Sequence, residues 1–110
     1  MRKDDLVYID HILICIRKIK KYIKGQTKLG FSKNELIQDA VIRNFEIIGE
    51  ASKNISNELK KTYPDIPWKE VAGMRDKLIH HYMGVDIDVV WATIKQDIPQ
   101  LEKALKTITK

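Results

Sequence analysis

The chain has 110 residues, of which 44% are hydrophobic and 32% are charged, and it carries a formal net charge of +5. This length suits one domain with one modest core, so we expect a single domain over residues 1–110, and the composition argues against disorder. The longest apolar run, Ile12 to Ile16, is too short to span a bilayer, and the single cysteine, Cys15, excludes an intrachain disulfide framework. We therefore expect a cytoplasmic protein with no membrane segment.

Hydrophobic periodicity predicts an all-α fold, an antiparallel bundle of four helices. Helix 1 is expected from about Asp5 to Lys24, with an apolar surface wide enough for two neighbours, one within the bundle and one across a homodimer. Helix 2 is expected from Ser32 to about Lys61, since Glu35 three residues after Ser32 completes a capping-box pattern.

The second half of the chain predicts two more helices. Helix 3 is expected to start with Pro67 at its first helical position and to be broken by Gly84. Asp86 is a suitable N-cap for helix 4, which continues towards the C-terminus. Pro99 falls inside helix 4 and should kink it or split it near Asp97, because proline lacks the N–H that the helix needs.

Six basic residues follow one another along helix 1 and the next loop with no acidic residue between them: Arg17, Lys18, Lys20, Lys21, Lys24 and Lys28. Such a cluster raises the local potential and would favour RNA, DNA or an acidic protein. A solvated helix face is the other interpretation, and charge alone does not decide between them.

Three charged residues of helix 2, Arg43, Glu46 and Glu50, have the i, i+3, i+7 spacing of one helix face. They could form an intrahelical ladder of ion pairs, which contributes a few tenths of a kcal/mol per pair. Alternatively, they lie beside an active cleft. The spacing is compatible with both.

The densest chemistry lies between Trp68 and Asp86, in the sequence WKEVAGMRDKLIHHYMGVD. One predicted helical stripe faces the core there: Trp68, Val71, Arg75, Leu78 and Tyr82. An inward arginine needs a carboxylate, a partner subunit or a bound anion, because its guanidinium stays charged. Asp76 and His80 are four residues apart, so that the carboxylate can orient the imidazole.

The residue types leave metal-free acid–base chemistry at Arg75 and His80 as the remaining candidate, since the sequence has no zinc-site spacing, no phosphate-binding glycine loop and no serine triad. On RNA, a histidine can move protons and an arginine can stabilise the charged transition state. One copy is incomplete, because cleavage needs two proton transfers and the two side chains point about 140° apart on an ideal helix. A two-fold dimer would supply both pairs. His80 as a helix-end histidine and Tyr82 as a core aromatic remain open interpretations.

At these residues the chain resembles the HepT-like proteins of the HEPN superfamily, which are small all-helical domains. The signature is an arginine, four to six residues and a histidine, here Arg75, DKLI and His80, with a tyrosine two residues later, here Tyr82. The segments 43–56 (RNFEIIGEASKNIS) and 85–101 (VDIDVVWATIKQDIPQL) are also similar to this family, so the resemblance covers nearly the whole chain.

The resemblance implies a toxin of a type VII-like toxin–antitoxin system, a metal-independent endoribonuclease whose two motifs line a shared cleft in a homodimer. It implies Arg75 and His80 as catalytic residues and Asp76 as a supporting residue, with no metal and no cofactor. The implied partner is an MntA-type minimal nucleotidyltransferase antitoxin, which blocks the site by AMPylation of Tyr82. Two alternatives remain: a non-catalytic module that binds a nucleotide or the nucleotidyltransferase, and a plain dimerisation bundle in which Glu46 or Glu50 neutralises Arg75.

Overall fold

A computed structural model of the protein describes residues 2–80 and 84–109, and it describes residues 79, 80 and 85 by their backbone alone. The described residues form eight α-helices, one π-helix and one two-residue ladder. In chain order they are α1 (Lys3–Ile23), α2 (Lys28–Ser32), α3 (Glu35–Lys53), α4 (Asn57–Thr62), α5 (Trp68–Ala72), α6 (Met74–Leu78), β1 (Ile79–His80), β2 (Gly84–Val85), α7 (Ile87–Ala92), the π-helix (Thr93–Asp97) and α8 (Ile98–Ile108). The predicted all-α class is confirmed.

The core lies mainly between α1 and α3, the two longest helices. Their apolar residues recur every three or four positions and so cover one face of each helix. The fully buried members of this interface are Ile9, Ile12, Ile16 and Ile19 of α1 with Val41, Phe45 and Ile48 of α3. The predicted helix 1 is confirmed to within two residues at each end.

A buried carboxylate connects the start of α1 to the start of α4. The Asp5 side chain accepts hydrogen bonds from the backbone N–H of Ser56 at 2.8 Å and from its hydroxyl at 2.6 Å. The same hydroxyl oxygen accepts from the backbone N–H of Leu59 at 3.2 Å and so caps α4. This network fixes the end of the α3–α4 segment against α1.

The predicted helix 2, a single helix from Ser32 to Lys61, is wrong in two places. Ser32 ends α2 and its hydroxyl donates to the carbonyl of Leu29 at 2.6 Å, whereas Asn34 caps α3 by accepting from the N–H of Ile37 at 3.1 Å. The chain leaves the helix again after Lys53 and starts α4 at the Ser56 cap. Asparagine and serine side chains compete for backbone groups in this way, which favours caps over helix interiors.

The predicted helix 3 is also divided. It is interrupted at Gly73 and ends at Leu78, well before Gly84, and Pro67 caps α5 from outside instead of occupying its first position. The chain then forms an antiparallel ladder in which residue 79 pairs with 85 and residue 80 with 84. Gly84 has a φ of 75° at the start of β2, a conformation that glycine adopts without strain. His81 and Tyr82 lie outside the described residues.

The prediction for helix 4 is confirmed. The Asp86 carboxylate accepts from the backbone N–H of Val89 at 3.2 Å and caps α7. The helix widens into the π-helix over Thr93–Asp97 and returns to α geometry at Ile98, immediately before Pro99. A proline ring cannot donate to the carbonyl four residues earlier and clashes with it, which accounts for the wider turn. Within the described ranges, no helix combines the length and the apolar character needed to cross a membrane.

Candidate active site

A groove of about 370 Å³ lies where α1, α3, α5 and α6 meet, and we call it the Arg75 groove. Its titratable lining comprises Tyr8 and His11 from α1, Arg43, Glu46, Glu50 and Lys53 from α3, and Arg75 and Asp76 from α6. Among the described residues, three cations, three carboxylates, an imidazole and a phenol therefore share one opening.

The close approach of α3 and α5 positions this groove. Gly49 is buried on α3, and a Cβ atom at this residue would lie 3.1 Å from the carbonyl oxygen of Ala72 at the end of α5. Only a glycine permits this spacing without a shift of backbone. Because α6 follows directly after Gly73, the spacing also brings Arg75 alongside Glu46.

Arg75 is not inward, so this part of the predicted stripe is wrong. Met74 takes the buried place on α6 with 5% exposure, because burying its thioether requires no desolvation of a charge. The Arg75 side chain is 52% exposed, with its Nε 3.6 Å from Glu46 Oε2 and its Nη1 3.8 Å from Asp76 Oδ1. Both distances exceed that of a good hydrogen bond, so the guanidinium is held near two carboxylates but keeps N–H groups available for an anion.

The three charged residues of α3 do not form the intrahelical ladder. In the part of the chain that the structure describes, Arg43 forms no ion pair with Glu46; Glu46 instead pairs with Arg75, and Glu50 lies 3.4 Å from Lys53. All three line the Arg75 groove. The interpretation that places them beside a cleft is therefore the one that the structure supports, and of the two acidic candidates Glu46 is the partner of Arg75.

His11 is the groove residue that the sequence reasoning missed. Its exposed ring stands edge-on to Tyr8, with ring centroids 6.4 Å apart and an interplanar angle of 89°. The i, i+3 spacing of Tyr8 and His11 placed them on one face of α1, but periodicity does not show which helix lies next to that face. In the structure this face borders the groove that residues of α3 and α6 also line.

His80 is described by its backbone alone, which lies in β1 and pairs with Gly84. The predicted helical relation between Asp76 and His80 is wrong, as is the 140° separation of Arg75 and His80, because α6 ends at Leu78 and the chain then becomes extended. The structure thus brings Arg75 and Asp76 together in the groove. The side chain of His80 and the whole of Tyr82 lie outside the described residues.

Comparison with known proteins places these features in a family. Residues 12–108 match the family model described as Ribonuclease HepT-like. A protein of Thermococcus cleftensis named "Probable ribonuclease HepT" is 44% identical over 110 residues, which is the full length of both chains. A Caldanaerobacter subterraneus protein named "Putative RNase" is 45% identical over 101 residues, 92% of this chain and 90% of its own.

A longer relative contains the same unit. The chain is 48% identical over 108 residues to a Methanocaldococcus jannaschii protein named "Gamma-glutamylcyclotransferase and putative RNase", and the match covers 98% of this chain and 49% of that one. The chain thus spans about half the length of that relative. No solved structure matches the chain.

Proposed function

We propose that this chain, which belongs to the HepT-like ribonuclease family, is a metal-independent endoribonuclease and the toxin of a type VII-like toxin–antitoxin system. One observation carries the proposal: Arg75 is half exposed in a groove and is held only loosely by Glu46. An arginine placed in this way can bind a phosphodiester without first breaking a strong ion pair.

In the proposed reaction, the RNA 2′-oxygen forms a bond to the adjacent phosphorus while the bond from phosphorus to the 5′-oxygen breaks. His80 accepts the 2′-hydroxyl proton or donates one to the leaving 5′-oxygen. Arg75 stabilises the negative charge that builds up on the non-bridging oxygens, and Asp76 supports Arg75. The products are a 2′,3′-cyclic phosphate and a free 5′-hydroxyl.

A homodimer would supply the second proton-transfer group. Three apolar side chains of α1, Leu6, Val7 and Ile14, are between 41% and 47% exposed, on the helix that also carries Tyr8 and His11 into the groove. Covering them with a second copy would stabilise the pair by the usual gain from apolar burial. The proposal requires the Arg75 grooves of the two copies to lie close together in that pair.

The decisive experiment is RNA cleavage in EDTA by His80→Ala, with His81→Ala as the matched control. We expect the first variant to lose cleavage and growth inhibition and the second to keep both, with the same helical content and oligomeric state. Unchanged cleavage by His80→Ala would exclude the proposed catalytic role, and cleavage that EDTA abolishes would exclude the metal-independent mechanism.

We propose that Tyr82 is the regulatory residue, modified with AMP by an MntA-type nucleotidyltransferase antitoxin. After incubation with that enzyme and ATP, the protein should gain the mass of one or more AMP groups on Tyr82 and lose activity. Tyr82→Phe should escape both effects, whereas Tyr8→Phe, at the tyrosine that lines the Arg75 groove, should not. Modification of a residue other than Tyr82 would contradict this assignment and identify that residue as the regulatory site.

The Glu46–Arg75 ion pair favours one alternative, a plain dimerisation bundle, because it partly neutralises the arginine. The same EDTA experiment separates the two functions. A bundle of this kind would form dimers while every preparation left RNA intact.

A further inference from the structure

A second groove, of about 670 Å³, lies at the other end of α1, between that helix, its following loop and the π-helix. We call it the basic groove. Its polar lining consists of Arg17, Lys20 and Lys21 of α1, Lys24 at the C-cap of that helix, Gln26 of the loop, and Lys95 of the π-helix. Ile23, Ile94 and Pro99 also line it with apolar surface.

Most of the positive charge in the basic groove is not neutralised. Among the described residues, Arg17, Lys21 and Lys24 form no ion pair with a carboxylate. Lys20 does, at 3.0 Å from Glu102. Five cations therefore face one opening with a single carboxylate beside them, an arrangement that repels itself unless an anion binds.

The side of the groove formed by the π-helix is held in place by aromatic contacts. The Lys95 ammonium lies 4.9 Å from the centre of the Trp91 ring, and Trp91 packs against the buried Phe31 with ring centroids 5.2 Å apart. A cation–π contact of this kind keeps the charge of Lys95 and restricts its position. Lys95 thus adds a positioned positive charge to the lining of the basic groove.

The two grooves lie on different flanks of α1. At 100° per residue, the α1 residues of the basic groove lie roughly 160° around the helix axis from Tyr8 and His11. Lys18 is exposed between them, and its charge and that of Arg43 both act on the buried Cys15 thiol. Arg43 also lines the Arg75 groove, so the basic groove and the Arg75 groove are separate openings beside α1.

We propose that the basic groove anchors the phosphate backbone of single-stranded RNA outside the cleavage site, an inference that rests on the proposed ribonuclease function. Arg17 and Lys21 are about one helical turn apart on α1, roughly 6 Å along its axis, and Lys24 follows at the C-cap. Such a row of cations suits the backbone of one strand. An acidic protein would need carboxylates placed in an equally regular row. The basic groove and the Arg75 groove are separate openings, so a short oligonucleotide in the Arg75 groove gains nothing from the anchor.

The test removes three cations from the basic groove and three from elsewhere. The groove variant is Arg17→Gln/Lys21→Gln/Lys24→Gln, and the control variant is Lys33→Gln/Lys61→Gln/Lys103→Gln. All six side chains are exposed, both variants lose three positive charges, and the control residues lie outside the groove. Both triple variants are made in the His80→Ala background, so that RNA is bound and not cut. Binding of fluorescent oligonucleotides of about 4 and about 20 nucleotides is measured over a salt series.

For the long strand we expect the groove variant to bind about tenfold more weakly or worse, with a slope of log K against log salt that is shallower by about 2. The control should stay close to the parent. With His80 restored, the groove variant should raise KM for long RNA and leave kcat unchanged, and cleavage of the short strand should not distinguish the variants. Equal affinity and equal slopes for the two triple variants would overturn the inference.

Two other outcomes distinguish a failure of the anchoring inference from a failure of the proposed ribonuclease function. If the groove variant loses only the binding of polyglutamate and keeps that of RNA, the groove serves an acidic protein and the inference is wrong. If wild-type protein binds long RNA through the groove but cuts none of it, the proposed ribonuclease function fails and the anchoring site stands.

Discussion

The two grooves of α1 differ in the balance of their charges. The Arg75 groove combines three cations, Arg43, Lys53 and Arg75, with three carboxylates and with His11 in about 370 Å³. The basic groove is larger, at about 670 Å³, and among the described residues its lining has five cations and no carboxylate. Proton transfer needs donors and acceptors close together, whereas binding of a polyanion needs only an excess of positive charge. The difference indicates that the first groove suits chemistry and the second suits attachment.

The largest expected effect is at Arg75. Arg75→Ala should lower kcat for RNA cleavage by roughly 10²–10³, the usual loss when one group that stabilises the transition state is removed. Arg75→Lys should recover only part of the rate, because an ammonium keeps the charge but not the two-pronged geometry. Cleavage rates at saturating RNA measure both effects.

Arg17→Ala, in the basic groove, is the control for this comparison. It should raise KM and leave kcat within about twofold, because Arg17 only helps to bind the substrate. If kcat falls as far for Arg17→Ala as for Arg75→Ala, the basic groove is not limited to substrate binding.

Sequence reasoning succeeded where one local rule decided the structure. Asp86 caps α7 as expected, because its carboxylate accepts from an N–H group within the first turn of the helix. The helix changes geometry just before Pro99, because the missing N–H of proline affects the turn that precedes it. Reasoning failed where two local rules competed. Ser32 and Asn34 are both good caps, and only the packing of Phe31 and α3 selects Asn34.

The orientation of Arg75 shows a second kind of failure. On one helix, Met74 and Arg75 are both compatible with the stripe of Val71 and Leu78, so periodicity cannot choose between them. The interruption at Gly73 and the contact of α5 and α6 with α3 bury Met74 and expose Arg75. His11 was missed for the same reason, because a site formed by three helices depends on how they cross.

The helix crossing itself can be tested with a matched pair of glycine substitutions. Gly49→Ala should destabilise the protein by about 1 kcal/mol, because the clash with the Ala72 carbonyl outweighs the gain in helix propensity. Gly73→Ala should be neutral or stabilise by up to about 1 kcal/mol, since its Cβ would lie at an ordinary 3.5 Å from the Lys69 carbonyl. Urea unfolding measures both changes.

The same two glycine variants also distinguish the role of the Arg75 groove from that of the basic groove. Gly49→Ala should also lower RNA cleavage, since a shift of α5 moves Arg75 away from Glu46, while binding at the basic groove should be unaffected. An equal loss of cleavage for Gly73→Ala would mean that the Gly49 contact does not set the position of Arg75.

The smallest expected effect is at Cys15, which is buried on α1 within reach of the charges of Lys18 and Arg43. Burial raises the pKa of its thiol, and the charges of Lys18 and Arg43 partly oppose that rise. The folded protein therefore holds the thiol proton more tightly than the unfolded chain, so the thiol contributes stability that is fully present below its unfolded pKa and is lost as the pH rises through the folded pKa. From about pH 8.5 upwards, the free energy of unfolding should fall more steeply for the wild type than for Cys15→Ala, by at most about 1.4 kcal/mol per pH unit. Alkylation of the native thiol should be slower in Lys18→Gln than in the wild type, because the loss of this charge leaves less thiolate, and it should be unchanged in Arg17→Gln. Equal rates in these two variants would show that the charge of Lys18 does not act on the thiol.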